Sequence, residues 1–280
     1  MKLTCVTAVY NAVAAGNRER LVRCIQSVAA LKIDHEHLIY DGASTDGTLE
    51  LLRVLEARTS NMKVVSEKDT GIYNALNKGV RDACGEWFYV IGCDDYIKFP
   101  QTLDRILSDR HGRAQVLATY VVKDFGTSQR LWPFSRRNLL FGTPYGHQGV
   151  LMKTSLVRAL KGFDETYKLA ADFDMMQRCH LQGVKIRYVK EVFAVFTAGG
   201  ASEDAKDSHG VDEPLLVMKK NLGLSDAEIL MFRNSMRLPI LRLCRFAFNR
   251  DSAVRLSAYY LLVRMLLASV SPCLRRGIYK

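Results

Sequence analysis

The residues best placed to do chemistry are Asp94 and Asp95, which close the run Trp87-Phe88-Tyr89-Val90-Ile91-Gly92-Cys93-Asp94-Asp95. An apolar run of this length reads as a buried strand, and open α/β sheets bind ligands at the carboxyl ends of their strands. Two adjacent carboxylates repel one another unless something neutralises them. Hard oxygen ligands of this kind suit Mg²⁺ or Mn²⁺, which bind through one or two carboxylates and the phosphates of a substrate. The pair therefore reads as a metal–diphosphate site, and the alternative is a solvated turn after a strand.

A second cluster lies in Asp41-Gly42-Ala43-Ser44-Thr45-Asp46-Gly47-Thr48. Its glycines permit a tight backbone, Ser44 or Asp46 is suited to cap the helix that follows, and Asp41 is left at a strand end as a fixed acceptor for a nucleobase N–H or a ribose hydroxyl. No lysine follows as in a P-loop, and the spacing is not Gly-x-Gly-x-x-Gly, which argues against P-loop and dinucleotide chemistry. A third carboxylate, Asp172 in Ala171-Asp172-Phe173-Asp174, opens a run with helical spacing. It is read as an N-cap, a role for which Asp174 competes, or as a carboxylate whose ionised form a helix N-terminus favours.

The elements that must position these groups alternate. Strands are expected at Leu3 to Val9, His37 to Asp41, Lys63 to Ser66 and Trp87 to Ile91. Helices are expected from Arg20 to Leu31, after Thr48 on Leu49, Leu52 and Leu55, and from Ile72 to Val80. This alternation predicts an α/β fold with a mostly parallel, twisted sheet covered by helices on both faces.

At 280 residues, 48% hydrophobic and 25% charged, the chain has the composition of a soluble globular protein with a sizeable core. Seven cysteines, odd in number and never spaced Cys-x-x-Cys, indicate neither a disulfide framework nor a zinc site, so a reduced, cytoplasmic compartment is expected. The N-terminal apolar run is too short for a signal peptide, and no uncharged stretch has the length of a spanning helix. Most of the net charge of +11 lies in residues 214–280, with twelve lysines and arginines against three acidic residues. We read 1–213 as a catalytic domain and 214–280 as a basic helical region. That region suits the anionic inner face of the cell membrane or packing against the catalytic domain.

Four segments stand in order: Thr7-Ala8-Val9-Tyr10-Asn11, Asp41-Gly42-x-Ser44-x-Asp46-Gly47-Thr48, Ser66-Glu67-Lys68-Asp69-Thr70-Gly71-Ile72-Tyr73-Asn74-Ala75-Leu76-Asn77-Lys78-Gly79 and Gly92-Cys93-Asp94-Asp95. Their order and spacing resemble family 2 glycosyltransferases, over roughly residues 1 to 205. The likeness is greatest to bacterial enzymes of polysaccharide and lipid-linked oligosaccharide assembly. The resemblance implies a GT-A fold with a nucleotide-binding half (1–100) and an acceptor-binding half (101–213), a nucleotide-diphosphate sugar donor such as a UDP-sugar, Mn²⁺ or Mg²⁺, and inversion at the anomeric carbon. It places the donor's base and ribose against Thr7, Val9, Tyr10, Asn11, Asp41 and Ser44, with Asp69 and Lys78 nearby. Asp95 with Asp94 would hold the metal, Asp95 foremost, with His209 as a third ligand. Asp172 would be the general base, and His147, Gln148 and Asp174 would line the sugar and acceptor pocket. Residues Gly199 to Gly210 read as a loop closing over the donor or as a linker.

The expected partners are the nucleotide-sugar donor, a lipid-linked oligosaccharide or polysaccharide acceptor and an anionic membrane surface reached through the basic C-terminal region, with no nucleic acid. Two alternative readings are a nucleotidyltransferase, which lacks a glycine-rich triphosphate segment here, and a basic nucleic-acid binder, which lacks interleaved aromatics and a known motif.

Overall fold

The computed structural model describes residues 1–134, 144–199 and 213–228, with 255, 258, 259 and 262. The chain divides into two compact units: 1–134, 145–171 and 185–210 in the first, 135–144, 172–184 and 211–280 in the second.

The first unit opens with the predicted alternation. It runs β1 (Leu3–Val9), α1 (Arg18–Ala29), β2 (His35–Asp41), α2 (Thr48–Glu56), β3 (Met62–Ser66), α3 (Ile72–Asp82) and β4 (Trp87–Val90). It continues with β5 (Tyr96–Ile97), α4 (Pro100–Ser108), β6 (Val116–Asp124), β7 (Gln129–Trp132), a 3₁₀ turn at His147–Gly149, β8 (Val150–Lys153) and α5 (Thr154–Ala159). After α6 (Ala171–Leu181) the chain returns to the sheet as β9 (Ile186–Thr197).

Among the described residues the strands form one sheet ordered β3-β2-β1-β4-β8-β6-β9-β5, with β7 paired to β6. The parallel expectation holds for β3-β2-β1-β4. Beyond β4 the sheet is mixed: β8 runs antiparallel to both its neighbours, β9 is parallel to β6, and β5 and β7 are antiparallel additions.

β1 is buried along both faces, which is why it reads as a continuous apolar run rather than an alternation. Leu3 and Cys5 pack with Cys24 and Val28 of α1, Leu103 and Ile106 of α4, and Trp87, Tyr89 and Phe193. Val9 joins Leu21, Ile25, Ile39 and Leu52 in a second cluster. The carbonyls ending α3 are taken by Arg158 of α5, which donates to the oxygens of Val80, Arg81 and Ala83, the partners a helix end needs.

In the second unit, α6 buries Phe173, Met175, Met176 and Cys179, and α7 (Glu213–Leu222) buries Val217, Met218 and Leu222. No helix among the described residues is long and apolar enough to cross a membrane. Beyond residue 228 most of the basic region, like His209, lies outside the described residues.

Candidate active site

Parallel pairing in the register Val9↔Asp41 brings the carboxyl ends of β1 and β2 level. The loops leaving them are then tied together. Asn11 N donates to Ser44 Oγ at 2.8 Å, and Asn11 Oδ1 accepts from Thr45 N at 3.0 Å. Val13 N donates to Thr48 Oγ1 at 3.1 Å, and Ala14 N donates to Asp46 Oδ2 at 2.7 Å. This closure forces Asn11 (φ 46°) and Ala43 (φ 62°) into the left-handed region, a cost of about 1 kcal/mol for a residue with a Cβ.

Asp46 is therefore more than the helix cap the sequence suggested. One oxygen accepts the first-turn N–H of Thr48 at 3.0 Å while the other holds Ala14. Desolvation works against its charge, but these donors outweigh it and keep Asp46 below the usual carboxylate range. Ser44 likewise binds the neighbouring loop rather than capping α2.

Asp41 is buried, 1% exposed. Its Oδ2 accepts from Ser44 N at 3.1 Å and Ser66 Oγ at 2.6 Å, whereas its Oδ1 is buried with no partner. Buried acceptors are normally satisfied, so this one points to a ligand donor. Next to it, a Cβ on Gly42 would stand 2.9 Å from Asp69 Oδ2 and 3.2 Å from Tyr10 Cδ2. With no Cβ there, the Asp69 carboxylate and the Tyr10 ring approach the Gly42 backbone closely. Asp69 is fixed by Gly71 N at 3.0 Å, and Lys78 by Glu67 Oε1 at 2.8 Å and the Lys68 carbonyl at 3.2 Å. Tyr10 is exposed and Asn11 half-buried. Two side chains expected at the ligand lie elsewhere: Val9 is in the core, and Thr7 is fully buried against His37 Nε2 at 2.9 Å. Burial pushes His37 down to about 3, so the pair is neutral and supports the turn from beneath.

The acid pair follows β4. Ile91 N still bonds Val6 O at 3.1 Å, and Asp95 N returns to Gly92 O at 3.1 Å. Asp95, 3% exposed, accepts Thr197 N on Oδ1 at 2.8 Å and Gln148 Nε2 on Oδ2 at 3.1 Å. Thr197 Oγ1 also donates to the Asp94 carbonyl at 2.8 Å. Both of Asp95's oxygens are thus engaged, and the half-buried Asp94 holds the more open position. Burial pushes both carboxyls up, Asp95 to about 6 with Asp94's charge adding to the effect. Arg20, His147 and Arg23 pull Asp94 the other way.

A Cβ on Gly92 would lie 2.8 Å from Asp95 Oδ2 and 2.9 Å from Asp94 Oδ1, so two carboxylate oxygens bound a space that glycine leaves open. That donor set fits a hard divalent cation that completes its shell with water and phosphate oxygens. Among the described residues no third His, Cys, Asp or Glu joins them. The expected third ligand, His209, lies outside the described residues.

His147 starts the 3₁₀ turn close enough for its charge to act on both acids. Gln148 was expected to line the pocket. It is 1% exposed and supports Asp95 instead, with its carbonyl accepting Tyr89 Oη at 2.9 Å. Asp174 differs from expectation in the same way. It is fully buried and bound by Arg178 Nε at 2.7 Å and by Asn221 Nδ2 of α7 at 2.9 Å. Asp172, half-buried in the first turn of α6, accepts Phe173 N at 2.8 Å. Thr197, Arg20 and Arg23 were missed, because they reach the acids only through the fold and no local pattern marks them. Ser66 stands at the head of the third motif segment, but its bond to Asp41 was not anticipated.

The profile described as "Glycosyl transferase family 2" matches residues 4–158. The chain is 26% identical over 219 residues, 76% of it and 85% of the relative, to a "PGL/p-HBAD biosynthesis glycosyltransferase" of Mycobacterium tuberculosis. Among solved structures it is similar to the 1–349 fragment of S. aureus TarS in complex with UDP-GlcNAc (TM-score 0.64, 20% identity, 89% of this chain and 74% of that one). It is also similar to the mannosyltransferase PcManGT of Pyrobaculum calidifontis in complex with GDP-Man and Mn²⁺ (TM-score 0.56, 15% identity, 93% and 85%). These likenesses establish the GT-A fold.

Proposed function

Since the chain belongs to glycosyl transferase family 2, we propose that it is a metal-dependent, inverting enzyme that transfers a sugar from a UDP-sugar to a lipid-linked or polysaccharide acceptor. Its place is bacterial surface-glycan assembly at the inner face of the cell membrane. Family membership sets aside nucleotidyl transfer and nucleic-acid binding as the principal activity.

The observation that carries the donor assignment is the partnerless Oδ1 of Asp41. This carboxylate oxygen accepts the N3–H of uracil, an exchange that satisfies both groups. TarS is described with UDP-GlcNAc and PcManGT with GDP-Man and Mn²⁺, which supports a nucleotide-sugar donor. Asp94 and Asp95 would hold a divalent cation, which when bound would neutralise charge on the leaving diphosphate. Asp94 is the principal ligand in this reading, because both oxygens of Asp95 already accept hydrogen bonds.

Asp172 takes the proton of the acceptor hydroxyl. The freed oxygen attacks the anomeric carbon, and the bond from that carbon to the diphosphate breaks, its electron pair leaving with UDP. Asp172 stands in the first turn of α6, where the helix N-terminus favours a negative charge.

The test is UDP and GDP release across a panel of nucleotide sugars, with Mn²⁺ and a bacterial lipid extract as acceptor, for wild type, Asp95→Ala and Asp172→Asn. Extract-dependent release from one UDP-sugar, lost in both variants, is expected. Turnover of a GDP-sugar alone would overturn the donor assignment, and full activity in Asp172→Asn would overturn the base.

A further inference from the structure

The β6–β7 hairpin takes no part in the chemistry above, yet it gathers exposed apolar side chains and basic ones in one place. Phe125 is 45% exposed and Leu131 55%. Phe99, 39% exposed, joins them through Lys98, whose Nζ donates to Gln129 Oε1 at 2.7 Å.

Cations stand among these side chains. Lys123 Nζ lies 5.2 Å from the Phe125 ring, 6.0 Å from Trp132 and 5.0 Å from Phe196. The Arg130 guanidinium is 5.7 Å from Phe125, and Lys98 Nζ is 5.6 Å from Phe99. The acid between them, Asp124, is turned onto Gly126 N and Gln129 Nε2, both at 2.9 Å. A shallow cavity of about 230 Å³ opens between Lys123, Phe125, Arg130, Leu131 and Trp132.

Exposed apolar groups in one patch mark a contact surface, and the cations decide which kind. Aromatic and aliphatic tips flanked by lysine and arginine fit a phospholipid interface, where the tips enter the acyl boundary while the cations meet lipid phosphates. We propose that this hairpin, with Phe99, docks the enzyme on an anionic phospholipid bilayer. The proposal does not depend on the acceptor being lipid-linked.

The chain provides its own probe, because it has two tryptophans, of which Trp87 is fully buried and Trp132 lies in the hairpin. The full chain is mixed with vesicles of phosphatidylcholine alone or with phosphatidylglycerol added. The anionic vesicles should shift the emission to the blue, brominated lipid should quench it, and salt should reverse both effects. Trp132→Phe should remove the response, and Phe125→Ser combined with Leu131→Ser should weaken vesicle partition about tenfold. The proposal fails if anionic vesicles leave the wild-type emission unchanged. It fails equally if the chain sediments with them while Trp132 stays unquenched, since the contact then lies elsewhere. Should the double variant not fold, wild-type quenching decides.

Discussion

Gln148 donates its Nε2 to Asp95 Oδ2 at 3.1 Å while its own Oε1 is buried with no partner. The amide thus serves the acid at its own expense, an arrangement suited to holding a negative charge in place. In the metal-free protein that charge is costly, because burial and Asp94 raise Asp95 to about 6.

The first prediction follows from the sign of that shift. A carboxyl raised in the folded state holds its proton longer there than in the unfolded chain, so stability is full below about pH 4 and is lost as pH rises towards 6. The loss is on the order of 3 kcal/mol at most. Asp95→Asn removes the charge, and a turned Gln148 amide offers Oε1 to the new N–H. Scanning calorimetry with chelator should find the variant more stable than wild type at neutral pH, and the two converging in acid.

Asp41→Asn should weaken UDP binding tenfold or more, the scale of losing a charge-assisted hydrogen bond. It should also erase the preference for UDP over CDP, whose N3 carries no proton. Calorimetric titration with both nucleotides checks this.

How much of this was legible in the sequence depends on distance along the chain. β1 and β4 were visible because strands buried on both faces read as near-continuous apolar runs, β2 and β3 because short apolar stretches (Leu38 to Tyr40, Val64 to Val65) stand between polar residues, and the ligand ends were marked by Asp41 and Asp94. The groups that hold Asp95 were not, since Thr197 and Gln148 reach it across 102 and 53 residues. The antiparallel strands beyond β4 escaped for a similar reason, their pairing being non-local. Thr7 carried a signal that was available: it lies inside the run of β1, a strand buried along both faces, where either parity is enclosed.

Ala43→Gly should raise the melting temperature slightly, by up to about 1 kcal/mol of stability, because glycine adopts the left-handed conformation without the Cβ penalty. Thermal unfolding of the variant beside wild type tests it, and a loss of stability would contradict the strain assigned to this loop.

Asp172 and Asp174 stand two residues apart with opposite expected behaviour. Asp174→Ala strips Arg178 and Asn221 of a buried partner and should cost about 3 kcal/mol or more. Asp172→Asn should leave melting within about 1 kcal/mol of wild type while lowering transfer by roughly 10²- to 10⁴-fold. Unfolding curves paired with turnover separate the two roles.

The most direct test of the account is calorimetric titration of UDP with and without Mn²⁺, for wild type and Asp94→Asn. The account predicts that Mn²⁺ strengthens UDP binding at least tenfold in the wild type and has little effect in the variant. UDP binding that ignores Mn²⁺, or a Mn²⁺ effect that survives in Asp94→Asn, would contradict a donor site built on the acid pair.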